Sequence, residues 1–318
     1  MSNHPGPFVE PRRVPGTERS FSALTISVDP PAVAPPSADA RTATLLRQAR
    51  EHGVTTFDVA DARFPMRAER LIATAFPSPD PDLAVIVGRS IESLSRERTP
   101  RGDPMPATDL EAALEESLEQ SRRRLAPAPL SVVEWRPDTD GSSGATSISG
   151  SAPVSKRGPK DPLWAVYFPS PPTALPRSGP SPSLFTGELS LLDRGVVPLF
   201  DPANGKPEAS LIVRNPFADG RLDGSRFAAA AMLAGPGEGP VELRRFQAEF
   251  DSVLALGFLT KDRRRTLAQA SLRFVLGFPW VATSVIPLPT PERFEEILSF
   301  GASPPLSDDE LARLGLVK

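Results

Sequence analysis

Residues 53 to 61 read Gly53-Val54-Thr55-Thr56-Phe57-Asp58-Val59-Ala60-Asp61. Thr55 to Val59 is mostly β-branched or aromatic, which predicts a short strand. The stretch before it carries helix signals: Ser37 is a candidate N-cap, Leu45, Leu46 and Ala49 recur at helical spacing, and Gly53 marks the stop. A helix that hands the chain directly to a buried strand is one unit of an α/β fold, and the pattern repeats outward in both directions. Further strands are predicted at Leu24 to Val28, Leu83 to Gly88, Leu130 to Trp135, Leu163 to Phe168, Leu184 to Glu188, Ser210 to Val213 and Thr283 to Ile286. With Thr55 to Val59 they make eight, mostly of unbroken apolar character, as strands buried on both faces of a parallel barrel require.

The helices between them carry punctuation of their own. Thr108 and Glu111 have capping-box spacing ahead of Leu110, Ala113, Leu114, Leu118 and Leu125. Thr290-Pro291 reads as N-cap plus N1 proline, and Ser307 with Glu310 repeats the capping box near the end. The predicted fold class is therefore α/β, a (β/α)8 TIM barrel in a single domain over residues 13–318, preceded by a flexible tail over 1–12.

Composition narrows the chemistry. The chain has 318 residues, no cysteine and a net charge of -3, which excludes thiol nucleophiles and thiolate metal sites and argues against general nucleic-acid binding. Two histidines, His4 and His52, leave no multi-histidine metal site, and neither His4 in a Pro/Gly-rich tail nor His52 at a helix end suits a Ser-His-Asp triad. No apolar run approaches the ~20 residues of a membrane span, and the start has no signal-peptide character, so a cytoplasmic location is expected. Proline is the anomaly: of 39, twelve fall between Ala126 and Phe185 beside a Gly/Ser run, which predicts loops rather than helices after strands four to six and a flexible insertion over 139–161.

Taken in order, five stretches resemble the aldo-keto reductases. Arg13-Val-Pro-Gly-Thr-Glu-Arg-Ser-Phe-Ser-Ala-Leu24 is similar to their opening hairpin and first strand, and Gly53 to Asp61 to their G-x-x-x-F-D-T-A signature. Leu191-Leu192-Asp193-Arg194 matches N-L-L-D-R after strand six. Asn215-Pro216-Phe-Ala-Asp-Gly220-Arg-Leu222-Asp-Gly224 resembles S-P-L-x-x-G-x-L-x-G, and Thr266-Leu-Ala-Gln-Ala-Ser-Leu-Arg-Phe-Val-Leu276 resembles T-L-A-Q-x-A-L-x-x-V-L. The resemblance implies an NADPH-dependent reductase with an Asp-Tyr-Lys-His tetrad, in which Tyr donates the proton and Lys lowers its pKa.

At the positions that the resemblance assigns, only the Asp is retained, as Asp58. Arg63 stands at the Tyr position, Arg89 at the Lys position, and Trp135 at the His position, or Arg136 if that strand shifts by one. Arginine stays protonated and cannot serve as a proton donor. Asp58 is accordingly expected in an ion pair at the barrel mouth, with Arg89 the first candidate partner and Arg63 the second. The cofactor positions diverge too. Phe168-Pro169-Ser170 stands near the Ser-Asn pair, Thr186 near the Gln, and Arg214 at the aromatic that stacks on nicotinamide, followed by Asn215. Leu288 replaces the phosphate-loop glycine, and Ile297 the adenine-binding Asn; Arg293 is the nearby cation.

The expectation that follows is a barrel without the tetrad or the NADPH grip, serving as a non-redox binding or interaction subunit, with no cofactor and no metal. The alternatives are a repurposed dehydratase, isomerase or lyase using Asp58 with Arg63, Arg89 or Glu134, and a residual NADPH-dependent oxidoreductase. The loop-rich flank of strands four to six is expected to meet a protein partner or a second copy, or to be covered by the proline-rich segments, with Tyr167 as an outward anchor. A small-molecule ligand at the mouth is the other expected partner; nucleic acid and membrane are not.

Overall fold

Branched and aromatic residues of eight short segments alternate between two separate cores, and that division defines the architecture. In this computed structural model, which describes residues 9–14, 17–98, 107–136, 161–172, 175, 183–200, 209–228 and 240–316, Pro11–Arg13 (β1) and Ser20–Ser22 (β2) form an antiparallel hairpin. The strands Leu24–Ser27 (β3), Thr56–Asp58 (β4), Ala84–Ser90 (β5), Leu130–Arg136 (β6), Leu163–Tyr167 (β7), Ser183–Glu188 (β8), Ala209–Arg214 (β9) and Val281–Pro287 (β10) are all parallel. They close into one barrel when β10 pairs with β3. Each coincides with a predicted strand to within about two residues at either end.

Inside the barrel, Ile86, Val132, Ala165, Leu184, Ile212 and Val285 form one cluster, and Val14 and Phe21 of the hairpin join it from the N-terminal end. The hairpin is a plug. Of the expected tail over 1–12, residues 9–12 belong to this part of the fold: Val9 is buried, Pro11–Arg13 pair with Ser20–Ser22, and Arg12 donates from both terminal nitrogens to the carbonyls of Leu276 and Phe278. Residues 1–8, with His4, lie outside the described residues.

Outside the barrel, Leu24, Phe57, Val85, Val133, Trp135 and Val213 belong to the second core, beneath the helices Pro36–Glu51 (α1), Pro65–Ala75 (α2), Ile91–Arg98 (α3) and Ala107–Leu125 (α4) and the later helix Leu267–Leu276. Caps set some of the helix starts. Ser307 and Glu310 make both bonds of the predicted capping box, and Thr266 with Gln269 makes a second that the sequence reading passed over. Ser37 is not a cap: α1 starts a residue earlier, on Pro35-Pro36, with no side-chain cap. Thr108 likewise falls inside α4, which begins at Ala107.

Between β6 and β9 the helix found among the described residues is Val197–Phe200, a single turn; residues 137–160, 173–174, 176–182 and 201–208 lie outside the described residues. The insertion over 139–161 falls almost wholly among them. The outward residues Trp164, Val166, Phe168 and Phe185 are nevertheless all buried. An aromatic series runs along this side: Phe168 and Phe185 lie 6.2 Å apart between ring centroids, Phe185 meets Phe200 edge-on at 6.2 Å, and Phe200 stacks on Trp280 at 4.8 Å. Gly187 makes room for it, because a Cβ there would sit 2.3 Å from the Phe168 ring. The expectation that Tyr167 points outward is overturned. Trp164, Val166 and Phe168 are the outward set, while Ala165 lies in the interior cluster and Tyr167 shares its face. Among the described residues no helix is long and apolar enough to cross a membrane.

Candidate functional site at the barrel mouth

The C-terminal ends of parallel barrel strands are where sites are built in this architecture, because the loops that follow them converge there. Strand parity decides which side chains enter. On β6 the interior face carries Val132, Glu134 and then Arg136; on β9 it carries Ile212 and then Arg214; on β8, Leu184, Thr186 and Glu188. β4 contributes Asp58 at its last position, and the turn after it contributes Asp61. Gly88, in register with Glu134, lets that turn fold inward: a Cβ at 88 would lie 2.6 Å from the Ala60 carbonyl oxygen.

These residues meet around Arg214. Its Nη2 donates to Asp58 Oδ1 at 2.9 Å and its Nη1 to Asp58 Oδ2 at 3.2 Å, a two-pronged bond. Nη2 and Nε also reach Glu134 Oε2 at 2.7 and 3.0 Å, and Nη1 bonds Asp61. Arg136 closes the other side, donating from Nε to Glu134 Oε1 at 2.8 Å and from Nη2 to Asp61. Asp58 and Glu134 are both 0% exposed and Arg214 only 6%. Three carboxylates thus enclose two guanidiniums at the top of the barrel.

Burial pushes the Asp58 carboxyl above the usual carboxylate range, Arg214 opposes the shift, and Glu134 and Asp61 add to it. Arg214 stays firmly charged: burial disfavours its charge, but Asp58, Glu134 and Asp61 outweigh burial and raise it well above the ordinary arginine value.

The ordered partners of Asp58 correct the sequence reading. Its guanidinium is Arg214, from the position that the resemblance gives to the nicotinamide-stacking aromatic, and neither Arg89 nor Arg63. Arg89 leaves the barrel on the outer side, where Nε donates to Ser117 Oγ at 2.8 Å and Nη2 to Ser121 Oγ on α4. Ser121 in turn donates to Glu69 of α2 at 2.6 Å, and Arg124 bonds the same carboxylate. Arg63 is exposed and pairs with Asp29 at 3.0 Å. Trp135 faces the outer core, so at the His position the residue that enters the mouth is Arg136. Leu288 packs against the outer core, Ile297 is buried in it, and Arg293 pairs with Glu296 at 3.1 Å and with Asp223.

Tyr167, the one tyrosine of the chain, also belongs to the mouth. The Arg136 guanidinium lies 4.7 Å above its ring. Burial raises its pKa, Arg136 partly offsets this, and Asp61, Glu134 and Glu188 push it further up, so the phenol keeps its proton at neutral pH. Asn215, in the left-handed region at φ 55, holds the rim: its Nδ2 donates to Glu188 Oε2 at 3.1 Å and to Asp219 Oδ1 at 3.0 Å, and its Oδ1 accepts from the Asp219 backbone at 2.7 Å. Asp61 and Glu188 were not singled out from sequence. Counting alternate residues inward from Leu184 would have found Glu188; Asp61 lies in a turn, where no periodicity applies. Among the described residues no group of three or more His, Cys, Asp or Glu is arranged to hold a metal ion.

No protein-family model matches the sequence, and no curated protein does. Solved structures do match. The apo form of aldo-keto reductase AKR11C1 from Bacillus halodurans aligns over 98% of this chain and 96% of its own at 17% identity, with a TM-score of 0.60. The glycerol dehydrogenase AKR11B4 from Gluconobacter oxydans aligns over 96% and 94% at 14% identity, with a TM-score of 0.65. The thermostable aldo-keto reductase Tm1743 aligns over 96% and 98% at 16% identity, with a TM-score of 0.62. The chain has the aldo-keto reductase fold over nearly its whole length.

Proposed function

We propose that this barrel is a non-redox binding protein that uses the aldo-keto reductase fold without its nicotinamide chemistry. The observation that carries the reading is Arg214, whose guanidinium fills the top of the barrel between Asp58, Glu134 and Asp61. A flat nicotinamide ring stacks on an apolar or aromatic surface. At the position that the resemblance gives to the stacking aromatic stands a charged side chain tied to three acids, and displacing it would leave Asp58 buried without its cation and Glu134 with Arg136 alone.

The rest of the dinucleotide fits no better. Leu288 and Ile297 are packed into the outer core, and Arg293 is already engaged by Asp223 and Glu296. The four carboxylates Asp58, Asp61, Glu134 and Glu188 against the two guanidiniums Arg136 and Arg214 give the mouth an excess of negative charge, which opposes a polyanionic cofactor.

A second reading, a lyase or isomerase of non-redox type, draws on Tyr167, a protonated phenol within the same charged mouth. It predicts turnover that Tyr167→Phe abolishes, whereas the binding reading predicts none. The test of the primary reading is titration of the purified protein with NADPH and NADH by calorimetry and by quenching of tryptophan fluorescence. No saturable binding is expected. A micromolar dissociation constant, equivalent to about 8 kcal/mol, overturns the reading.

A further inference from the structure

We propose that the mouth binds an organic ammonium group on its β7–β9 side, held by the Glu188 carboxylate together with the hydroxyls of Tyr167 and Thr186. The proposal deepens the reading of the mouth as a non-redox binding site and rests on it.

Charge comes first. Arg214 and Arg136 spend their donors on Asp58, Asp61 and Glu134. Glu188 stands apart from this network although it is in register with Arg214: among the described residues no arginine or lysine forms an ion pair with it, and its carboxylate accepts from the neutral amide of Asn215 at 3.1 Å. Asn215 fixes the carboxylate in place without neutralising it.

The independent observation is Thr186, two residues before Glu188 on the same inward face of β8. It is 0% exposed, and its hydroxyl has no hydrogen-bond partner. A buried hydroxyl without a partner carries a desolvation cost that a ligand donor would relieve. Tyr167 is the register neighbour of Thr186 on β7. Adjacent strands lie ~4.8 Å apart and a two-residue step along a strand is ~6.6 Å, so the three side chains border one small region of the wall.

All three supply oxygen acceptors. A primary ammonium has three N–H donors and one positive charge, which matches one carboxylate plus two hydroxyls. A hard divalent cation calls for more oxygen ligands, and more of them charged, than one carboxylate supplies here. A carboxylate or phosphate ligand would meet Glu188 with its own charge.

The test uses the full chain, with n-butylammonium and 1,4-diaminobutane as probes, butyrate and Mg2+ as controls, and calorimetry with thermal shift as readouts. Saturable binding of the amines is expected, with neither butyrate nor Mg2+ competing. Glu188→Gln should weaken amine binding at least tenfold while circular dichroism and melting temperature stay near wild type, and Thr186→Val, nearly the same shape, should weaken it several-fold. Absence of amine binding to the wild type overturns the proposal, as does preference for butyrate or Mg2+, or a folded Glu188→Gln that binds amines as before. Amine silence with no NADPH binding sinks this inference alone; NADPH binding sinks the functional reading beneath it.

Discussion

Arg214, the last residue of β9, grips Asp58, the last residue of β4, through two bonds of 2.9 and 3.2 Å across the top of the barrel. The two are 156 positions apart in the chain, and the pair spans strands that are not neighbours in the sheet. Glu134 of β6 shares the same guanidinium, so one side chain ties three strands together at their C-terminal ends.

Removing that cation should be costly. Arg214→Met leaves Asp58 and Glu134 buried with one fewer counter-charge, and a broken buried ion pair costs about 3–5 kcal/mol. Chemical denaturation should show a loss in this range. Arg214→Lys should recover only part of it, because a point ammonium cannot reproduce the planar fork that serves Asp58 and Glu134 together. A loss below about 1 kcal/mol for Arg214→Met would show that the cluster is solvated rather than sealed.

Asp58→Asn should behave differently. It removes the excess acid and leaves two arginines facing Glu134 and Asp61, so a change within about 1 kcal/mol at pH 7 is expected. The pH dependence follows from the raised carboxyl of Asp58. Between its unfolded and folded pKa values the folded state binds the extra proton, so wild-type stability rises as pH falls through the folded value and is reduced above it. Wild type should therefore gain on Asp58→Asn as the pH is lowered from neutral toward the ordinary aspartate range in paired denaturant titrations; a difference that stays constant down to that range contradicts the shift.

The fold was legible because parallel barrel strands are buried on both faces and leave unbroken apolar runs, as at Leu83 to Gly88 and Leu130 to Trp135. The site was only half legible, and the reason is parity. Matching Arg89 and Trp135 to the family's positions put both on the outer face, whereas Gly88, Glu134 and Arg136, each one residue away, face inward. A one-residue shift exchanges the two faces of a strand. Tyr167 failed for a related reason. A loop-rich flank suggests a polar-tipped aromatic facing outward, but parity puts Trp164, Val166 and Phe168 on that side and Tyr167 on the interior face. The partner of Asp58 was beyond local pattern altogether, since it depends on closure of the barrel.

A second buried charge network lies behind β5. Glu69 is 0% exposed and accepts from Ser121 at 2.6 Å and from Arg124, while Ser121 also receives Arg89. Glu69→Leu should lose about 3–5 kcal/mol, since it takes the carboxylate from the Arg124 guanidinium and the acceptor from the Ser121 hydroxyl between α2 and α4. Glu69→Gln, which keeps an acceptor for Ser121, should lose less. Equal losses for the two would mean that packing, and not charge, sets the role of this position.

The last prediction concerns the outer face of β7 and β8. Gly187 has no room for a side chain, because the Phe168 ring occupies the place of its Cβ. Gly187→Ala must push that ring off the strand, and overpacking of this kind costs about 1–3 kcal/mol. The ring cannot shift freely, since Phe185, Phe200 and Trp280 follow it in one aromatic series on the outer side of the barrel. Phe168→Leu alone should also destabilise, by leaving a void against Phe185. Combined with Gly187→Ala, however, the smaller side chain makes space for the new methyl group. The double variant should then be more stable than the sum of the two single losses allows, by at least about 0.5 kcal/mol in a double-mutant cycle. Strict additivity would mean that Phe168 and Gly187 do not share the space that separates the barrel wall from its aromatic cover.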